Sequence, residues 1–394
     1  MTLDSAASYA PPRGTRPRNR RALIVAAATD LFFRRGFDQI GMSDIAEAVS
    51  IGPSALYRHF SGKQDLLFEV IQDGLVPVRE GLETLDLRDR ETALTQLAQL
   101  TMDHRQLGVL WQREARQLSE ENHAQIRDEI RATGRLVVEQ VRIARPELSQ
   151  QATVLIGWAM VSVLSSNSFH RLELPRPQYE ELLRELFETV LDTPIADDFG
   201  ASPAPRGPGL TPRSRREALL TQAIQMFAEQ GYSSVGIEDI GAAVGIAGNS
   251  IYNHFPTKRD LLTTALERGA AALFLNLSAI YSSAVDPADA LRRLAGSYAG
   301  FTLQYDGVVG LMITELDHLP EAQRRASRQA QYDYVSEWVQ LFLEVHPSAD
   351  PVAARIRVQA ALSIANDVAR TPQLRATGLA EAVTTVCTRL LLKP

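Results

Sequence analysis

The chain's 394 residues exceed the length at which a single hydrophobic core usually stops growing, so at least two domains are expected. Apolar residues make up 45% and charged residues 22%, which excludes a disordered or low-complexity chain. The net charge of −6 argues against a protein coated in nucleic acid, but the charge is uneven: residues 13–63 hold nine basic against four acidic groups and residues 206–259 six against four, so DNA contact would be confined to these stretches.

Residues 1–17 mix Ala, Ser, Pro and Arg without periodicity and read as an arm, whose Arg13 and Arg16, with the following Arg18, suit either a DNA backbone or plain solvation. Ile24, Ala27, Ala28 and Leu31 then follow helical spacing, and Arg34-Arg35-Gly36 supplies a basic last turn and a stop, which predicts a helix over 20–35. Short helices are predicted at 42–49, on the face of Ile45, Ala46 and Val49, and at 53–60, with Pro53 at its first position. A longer helix followed by two short ones joined by a tight turn is a helix-turn-helix arrangement. The same order recurs over 216–229, 237–244 and 248–255, with glycine at the entry to the second helix in both copies (Gly41, Gly236), where Ser or Thr would cap more strongly.

The recurrence is literal in one place. Residues 51–67 (IGPSALYRHFSGKQDLL) and 246–262 (IAGNSIYNHFPTKRDLL) share eight of seventeen positions at a constant offset of 195. Only three of the 41 basic residues are Lys, yet Lys63 and Lys258 stand at equivalent positions of the repeat. Keeping an ammonium twice where Arg dominates elsewhere points to a compact point-charge contact, such as a phosphate.

Beyond each motif the sequence is helical with almost no strand signals. Helices are predicted at 64–82, 92–107, 108–118, 121–143, 149–169 and 178–191, and again at 259–281, 288–305, 308–318, 321–345, 351–370 and 378–392. The last of each set carries an apolar stripe, Tyr179, Leu182, Leu183, Leu186, Val190 against Leu379, Ala382, Val383, Val386, Leu390. Residues 192–212 hold five Pro and three Gly and read as a linker. The domains expected are therefore 1–17, 18–63, 64–191, 192–212, 213–258 and 259–394. The single Cys387 excludes an intrachain disulfide and falls on the buried side of its stripe; with no signal-peptide pattern near Met1 it favours a reducing cytoplasm. The longest apolar run, 154–164, is too short for a membrane span.

The stretches Leu56 to Leu66 and Ile251 to Leu261, each Tyr-x-His-Phe followed by x-x-Lys-x-x-Leu, resemble the TetR family of transcriptional regulators. The preceding Phe-x-x-x-Gly-Phe/Tyr (Phe32 to Phe37, Phe227 to Tyr232) and Asp-Ile pairs (Asp44-Ile45, Asp239-Ile240) fit as well. The resemblance covers residues 18–82 and 213–277. It implies an all-α fold of two tandem units, each a three-helix DNA-binding domain followed by a helical ligand-binding and dimerisation domain. Family members pair as homodimers, place two recognition helices in successive major grooves, and respond to an effector bound in the C-terminal core.

By position, the resemblance assigns DNA contact to Ser43, Pro53, Ser54, Tyr57, Arg58, His59 and Lys63 in the first copy. In the second it assigns Gly248, Asn249, Ser250, Tyr252, Asn253, His254 and Lys258. Tyr57 and Tyr252 would reach phosphates through their hydroxyls, Lys63 and Lys258 phosphates at the next helix start, and base reading would fall to Arg58 and to Asn249 or Asn253. Both copies lack the lysine that the family's usual Ser-Lys-Gly-Thr places in the third helix, having Gly52-Pro53-Ser54-Ala55 and Ala247-Gly248-Asn249-Ser250. Two unlike units in one chain can pair with each other, so an intramolecular pseudo-dimer is expected, with 151–169 and 178–191 packed on 351–370 and 378–392. It would read a non-palindromic site with half-sites about one helical turn apart.

His59 and His254 have no carboxylate or nucleophile partner nearby in sequence, no metal-ligand spacing occurs, and no phosphate-binding loop appears, so neither an enzyme nor a cofactor protein is expected. Trp111, Glu114, Trp158, Met312, Glu315, Tyr332, Trp338 and Asn366 are the candidates for lining a pocket for a small hydrophobic organic effector, against the alternative that they are ordinary core. The functions left open are a repressor released by such an effector in the bacterial cytoplasm, associated with the nucleoid, an effector-independent architectural DNA binder, and a helical ligand- or partner-binding protein with degenerate DNA-binding units.

Overall fold

A computed structural model describes residues 20–196, 199–200, 210, 212–246 and 250–393. The arm at 1–17, most of the linker, and Gly248 and Asn249 lie outside the described residues. Among the described residues there are helices and no strand. Two compact units form: residues up to 140 together with 164–171, and residues 141–163 together with 172 onward.

In the first unit, α1 (Arg20–Arg35), α2 (Met42–Ala48) and α3 (Pro53–Leu56) pack around Ile24, Ala28, Phe32, Ile45, Leu56 and Phe60, all buried. The third helix is shorter than predicted. After Leu56 the backbone tightens, with Arg58 N–H bonding to Ala55 O and His59 N–H to Leu56 O at three-residue spacing, so 57–60 form turns rather than another helical turn. α4 (Lys63–Glu83) crosses back over α1 and meets α5 (Arg90–Asp103) and α6 (Leu107–Gln112). The predicted helix over 108–118 breaks at Arg113 into α6 and a 3-10 turn, Glu114–Gln117. Packing behind α6 is tight: a Cβ on Gly108 would sit 2.4 Å from Ser168 Oγ, which itself accepts the Gly108 N–H at 3.0 Å.

α7 (Glu120–Ala144) and α8 (Gln150–Ser166) follow. The helical stretch Gln150–Phe169 is longer than the run at 154–164 and is long and apolar enough to cross a membrane, but 72% of its most apolar window is buried inside the fold, with the Thr153 and Ser162 hydroxyls satisfied by the Ser149 and Trp158 carbonyls four residues back. It has the burial of a core helix.

The second unit contains α9 (Arg176–Leu191), then α10 (Arg215–Gln230), α11 (Ile237–Ala243), α12 (Lys258–Tyr281), α13 (Pro287–Gln304), α14 (Asp306–Thr314), α15 (Glu321–Val345), α16 (Pro351–Ala369) and α17 (Leu379–Leu392). α9 packs on α16 and α17, as the paired stripes require: Tyr179, Leu183, Leu186 and Val190 of one and Val383, Val386 and Leu390 of the other are all buried. Arg357 on α16, 7% exposed, pairs with Glu185 on α9 at 2.8 Å. Cys387 is buried, donates weakly to Ala361 O, and has its thiol pushed up to about 12 by burial, so it is inert packing. As in the first unit, the predicted helix over 308–318 is divided, here into α14 and a 3-10 turn, Leu316–His318.

The predicted third helix of the second copy does not form over its described part. Ser250–His254 make turns, with the His254 and Phe255 N–H groups both bonding to Ile251 O. Gly241, where the first copy has Ala46, lets this segment sit close on α11: a Cβ there would lie 2.1 Å from Ile251 Cδ1 and 2.7 Å from the Ile246 carbonyl. The glycines that start α2 and α11 also have a physical cause. Each N–H is capped by the carboxylate three residues on (Gly41 to Asp44, 2.7 Å; Gly236 to Asp239, 2.9 Å), and a Cβ on Gly236 would sit 2.8 Å from that carboxylate.

Candidate nucleic-acid interface

The eight residues shared by the repeat divide by what they touch. Phe60 and Phe255, Leu66 and Leu261, and Leu67 and Leu262 fill the two small cores, and Ile246 is buried with them. Asp65 and Asp260 cap the next helix by accepting the Ser61 and Thr257 N–H groups at 2.9 Å. Tyr57 and Tyr252 face outward at 55% and 41% exposure, beside an exposed His59 and a half-buried His254.

The two lysines have partners the sequence did not suggest. Lys63 Nζ donates to Phe37 O and Ile40 O at 2.9 Å each and rests 3.9 Å from the centre of the Phe37 ring. Lys258 Nζ donates to Tyr232 O at 2.7 Å and Val235 O at 2.8 Å, 4.2 Å from the Tyr232 ring. A single compact ammonium thus bonds two carbonyls and a ring face at once in each copy. Those contacts tie the start of α4 or α12 to the turn before α2 or α11 and take two of each ammonium's three N–H donors. Burial lowers the Lys258 pKa, and Glu315 opposes the shift.

Exposed positions differ between the copies. Ser43, Pro53, Ser54 and Arg58 are exposed in the first; Ser250 and Asn253 are exposed in the second. Ser43 has Glu238 as its counterpart, 195 residues on, and Glu238 Oε1 accepts the Tyr252 hydroxyl at 2.6 Å. This contact raises the Tyr252 pKa and lowers that of Glu238. Tyr252 is thus occupied by an acid on the very face proposed to meet phosphate. The backbone also differs: Ser50, in the tight turn, has φ +52, where its counterpart Gly245 has φ +70. Only the second copy has the residue that conformation favours.

The pocket candidates are not gathered in one place. Glu114 and Glu315 are buried where each DNA-binding bundle meets its regulatory helices. Glu114 Oε2 accepts the Phe37 N–H at 2.8 Å and Oε1 pairs with Arg113 at 2.5 Å. Glu315 Oε1 accepts the Thr314 hydroxyl at 3.1 Å and Oε2 lies 3.3 Å from His318, whose ring stacks on Tyr232. Met312 packs against the second small core. Tyr332 is 57% exposed with Arg355 over its ring, which places it on the surface because it faces out from α15. Trp111 and Trp158 are half-buried. Trp338 is buried and Asn366 accepts the Tyr298 hydroxyl at 2.9 Å, so these two share a cluster that also holds Tyr298 and Tyr334. No group of three or more His, Cys, Asp or Glu able to hold a metal occurs among the described residues.

The family profile described as bacterial regulatory proteins, tetR family, matches this chain twice, at residues 24–70 and 219–265. Two tetR-type DNA-binding units thus stand in tandem in this chain. Among curated TetR-type relatives it is 32% identical over 124 residues to the transcriptional repressor KstR2 of Mycobacterium tuberculosis (strain CDC 1551 / Oshkosh), a match covering 32% of this chain and 58% of that protein. It is 41% identical over 78 residues to the transcriptional activator FasR of Mycolicibacterium smegmatis, covering 18% of this chain and 36% of FasR. The matches to KstR2 thus span little more than half of that relative's length. A solved TetR-family regulator from Bordetella parapertussis 12822 is similar at 21% identity and a TM-score of 0.44, covering 46% of this chain and 96% of that one.

Proposed function

We propose that this tandem TetR chain is a sequence-specific DNA-binding transcriptional regulator whose two unlike units read the two halves of an asymmetric operator. One observation carries the reading: the residues that fill the two small cores recur between the copies, while exposed ones around the shared tyrosine and histidine change, Arg58 to Asn253 and Ser43 to Glu238 among them. Arg suits the two acceptors of guanine and Asn the donor and acceptor of adenine, so the exchange alters which base each copy favours. Pro53, Ser54, Tyr57 and His59, with Ser250, Tyr252 and His254, complete the DNA face, as would Gly248 and Asn249; Lys63 and Lys258 position that face from behind.

The packing of α9 on α16 and α17 supports an intramolecular pseudo-dimer built across domains 64–191 and 259–394, so that one chain fills one operator. The protein would act as a repressor in the bacterial cytoplasm, released by a small organic effector; a KstR2 repressor among its relatives supports that sign, and an activator among them keeps the opposite one open to test. Selection of bound DNA from a random pool, with the mass of the complex measured by light scattering, tests the whole. A bipartite consensus bound by one chain is expected; no enrichment, or two chains on a palindrome, would overturn it.

A second reading follows from Glu238. An acid on the DNA face, together with a local charge of only +2 (six minus four) over residues 206–259, makes the second unit the weaker binder, so the first sets affinity and the second adds selectivity.

A further inference from the structure

The contact between the half of the chain that ends at α9 and the half that begins at α10 is lopsided in charge. Arg357, on α16, is buried, and its guanidinium donates to Glu185 Oε2 on α9 at 2.8 Å. Burial pushes the Arg357 pKa down, and Glu185 opposes the shift. The Phe342 ring lies 6.0 Å away, so Glu185 is the anion that compensates a cation held largely out of water.

Each member of this pair has a counterpart of another kind in the other half. Ser149 caps α8 on the Ala152 N–H and Asp350 caps α16 on the Ala353 N–H, an offset of 201 that sets Arg357 level with Ile156, which is also buried. The stripes of α9 and α17 run at an offset of 200. Residues 181–188 and 381–388 show the same succession of exposed, half-buried and buried positions, which sets Glu185 level with Thr385. The Thr385 hydroxyl is given to the Glu381 carbonyl at 2.9 Å.

A two-fold pairing repeats every contact with the partners exchanged, so the mate of Arg357 with Glu185 is Ile156 with Thr385. Were the second half to pair with a copy of itself, Arg357 would meet Thr385 and stay a buried cation without an anion. Were the first to do so, Glu185 would meet Ile156. The unlike pairing alone sets charge against charge and neutral against neutral. Bulk divides the same way: Leu182, Leu186 and Phe187 of α9 stand level with Ala382, Val386 and Cys387 of α17, all six are buried, and α9 packs on α17. Large side chains lie on one half's helix and small ones on the other's, so like pairing would crowd one interface and leave voids in the other.

We propose that Glu185 and Arg357 make the two halves of this chain selective for each other, so that each accepts the other and refuses a copy of itself. The covalent join through residues 192–212 raises the local concentration of the halves but does not distinguish like from unlike partners; the charge pair does. One assembly then always presents one recognition segment of each kind, Arg58 with Asn253, as an asymmetric operator requires. This selectivity rests on reading the chain as an intramolecular pseudo-dimer, and the parent's own mass tests that reading separately.

Two variants of the full chain are made, Glu185→Arg and Arg357→Glu, each of which sets like charges together within its own chain. Losing the partner of a buried charge pair weakens an interface about thirtyfold or more. Alone, or mixed with the parent, each variant keeps the mass of one chain in light scattering at low micromolar concentration, because no exchange of halves improves its contacts. Mixed with each other, the variants pair across chains, since both contacts then join a cation to an anion; the mass becomes that of two chains, and the untagged variant co-purifies with a tagged one. Should either variant lose its helical circular dichroism alone, mixing restores it. A mixture that stays at the mass of one chain or stays unfolded, or co-purification as strong with the parent as between the variants, overturns the proposal. A parent with the mass of two chains overturns the one-chain reading instead, and the comparison of co-purification still decides the selectivity.

Discussion

The two DNA-binding bundles are alike inside and unlike outside, and the division shows which residues a fold repeats because it must. Phe60 and Phe255 close a core and Lys63 and Lys258 tie a turn on equivalent partners in both copies, and Asp65 and Asp260 both cap the next helix start, on Ser61 in the first copy and on Thr257, one position further along, in the second. Where the chain faces solvent the copies part: Tyr252 donates to Glu238, and the position equivalent to Glu238 in the first copy is the uncharged Ser43. Conformational strain divides the same way, with Ser50 held in a left-handed turn that Gly245 adopts freely.

The sharpest way to break this comparison is at the lysines. Lys63→Met leaves two carbonyls without their donor and is expected to cost the first unit about 2 kcal/mol or more, seen in chemical unfolding, with Lys258→Met acting likewise on the second unit. A lysine serving only a phosphate would instead lower DNA affinity and leave stability unchanged. Separating α9 from α16 comes next. Glu185→Ala removes the partner of the nearly buried Arg357 and should lower stability by about 1–2 kcal/mol, a loss that Glu185→Gln partly restores. An unchanged denaturation midpoint would show that this contact does not join the two helices in solution.

Glu238→Ser gives the second copy the surface of the first. Freeing Tyr252 and removing an anion from the DNA face should tighten binding by about 1 kcal/mol at one half-site only, read by footprinting. Ser50→Gly should stabilise the first unit by about 1 kcal/mol and Gly245→Ser destabilise the second by a similar amount, measured as shifts in unfolding midpoint. Equal responses at both positions would remove the claimed difference in strain.

Most of the fold was legible because helical periodicity and the repeat are local signals. Helix α15 begins and ends where its pattern does, and the stripes of α9 and α17 are buried as their spacing requires. What the sequence misstated depends on distance in space. Lys63 reads as a compact charge, but its carbonyl partners lie 23 and 26 residues away. The third helices read as full turns, and only the approach of residues 250–255 to Gly241 shows why the second is tightened. Glu238 was visible as the counterpart of Ser43, but its bond to Tyr252 needed coordinates. Tyr298 and Tyr334 went unnoticed because aromatic residues at helical spacing look like core, and that they pack on Trp338 while Tyr298 bonds Asn366 needed coordinates.

The central claim, that the two copies read different halves of one operator, is tested most directly by Arg58→Asn, which gives the first copy the exposed residue of the second. Bound DNA is selected from a random pool with the parent chain and with the variant. The account predicts that one half of the consensus changes, losing a guanine preference, while the other half is untouched. A change in both halves, or in neither, would contradict it.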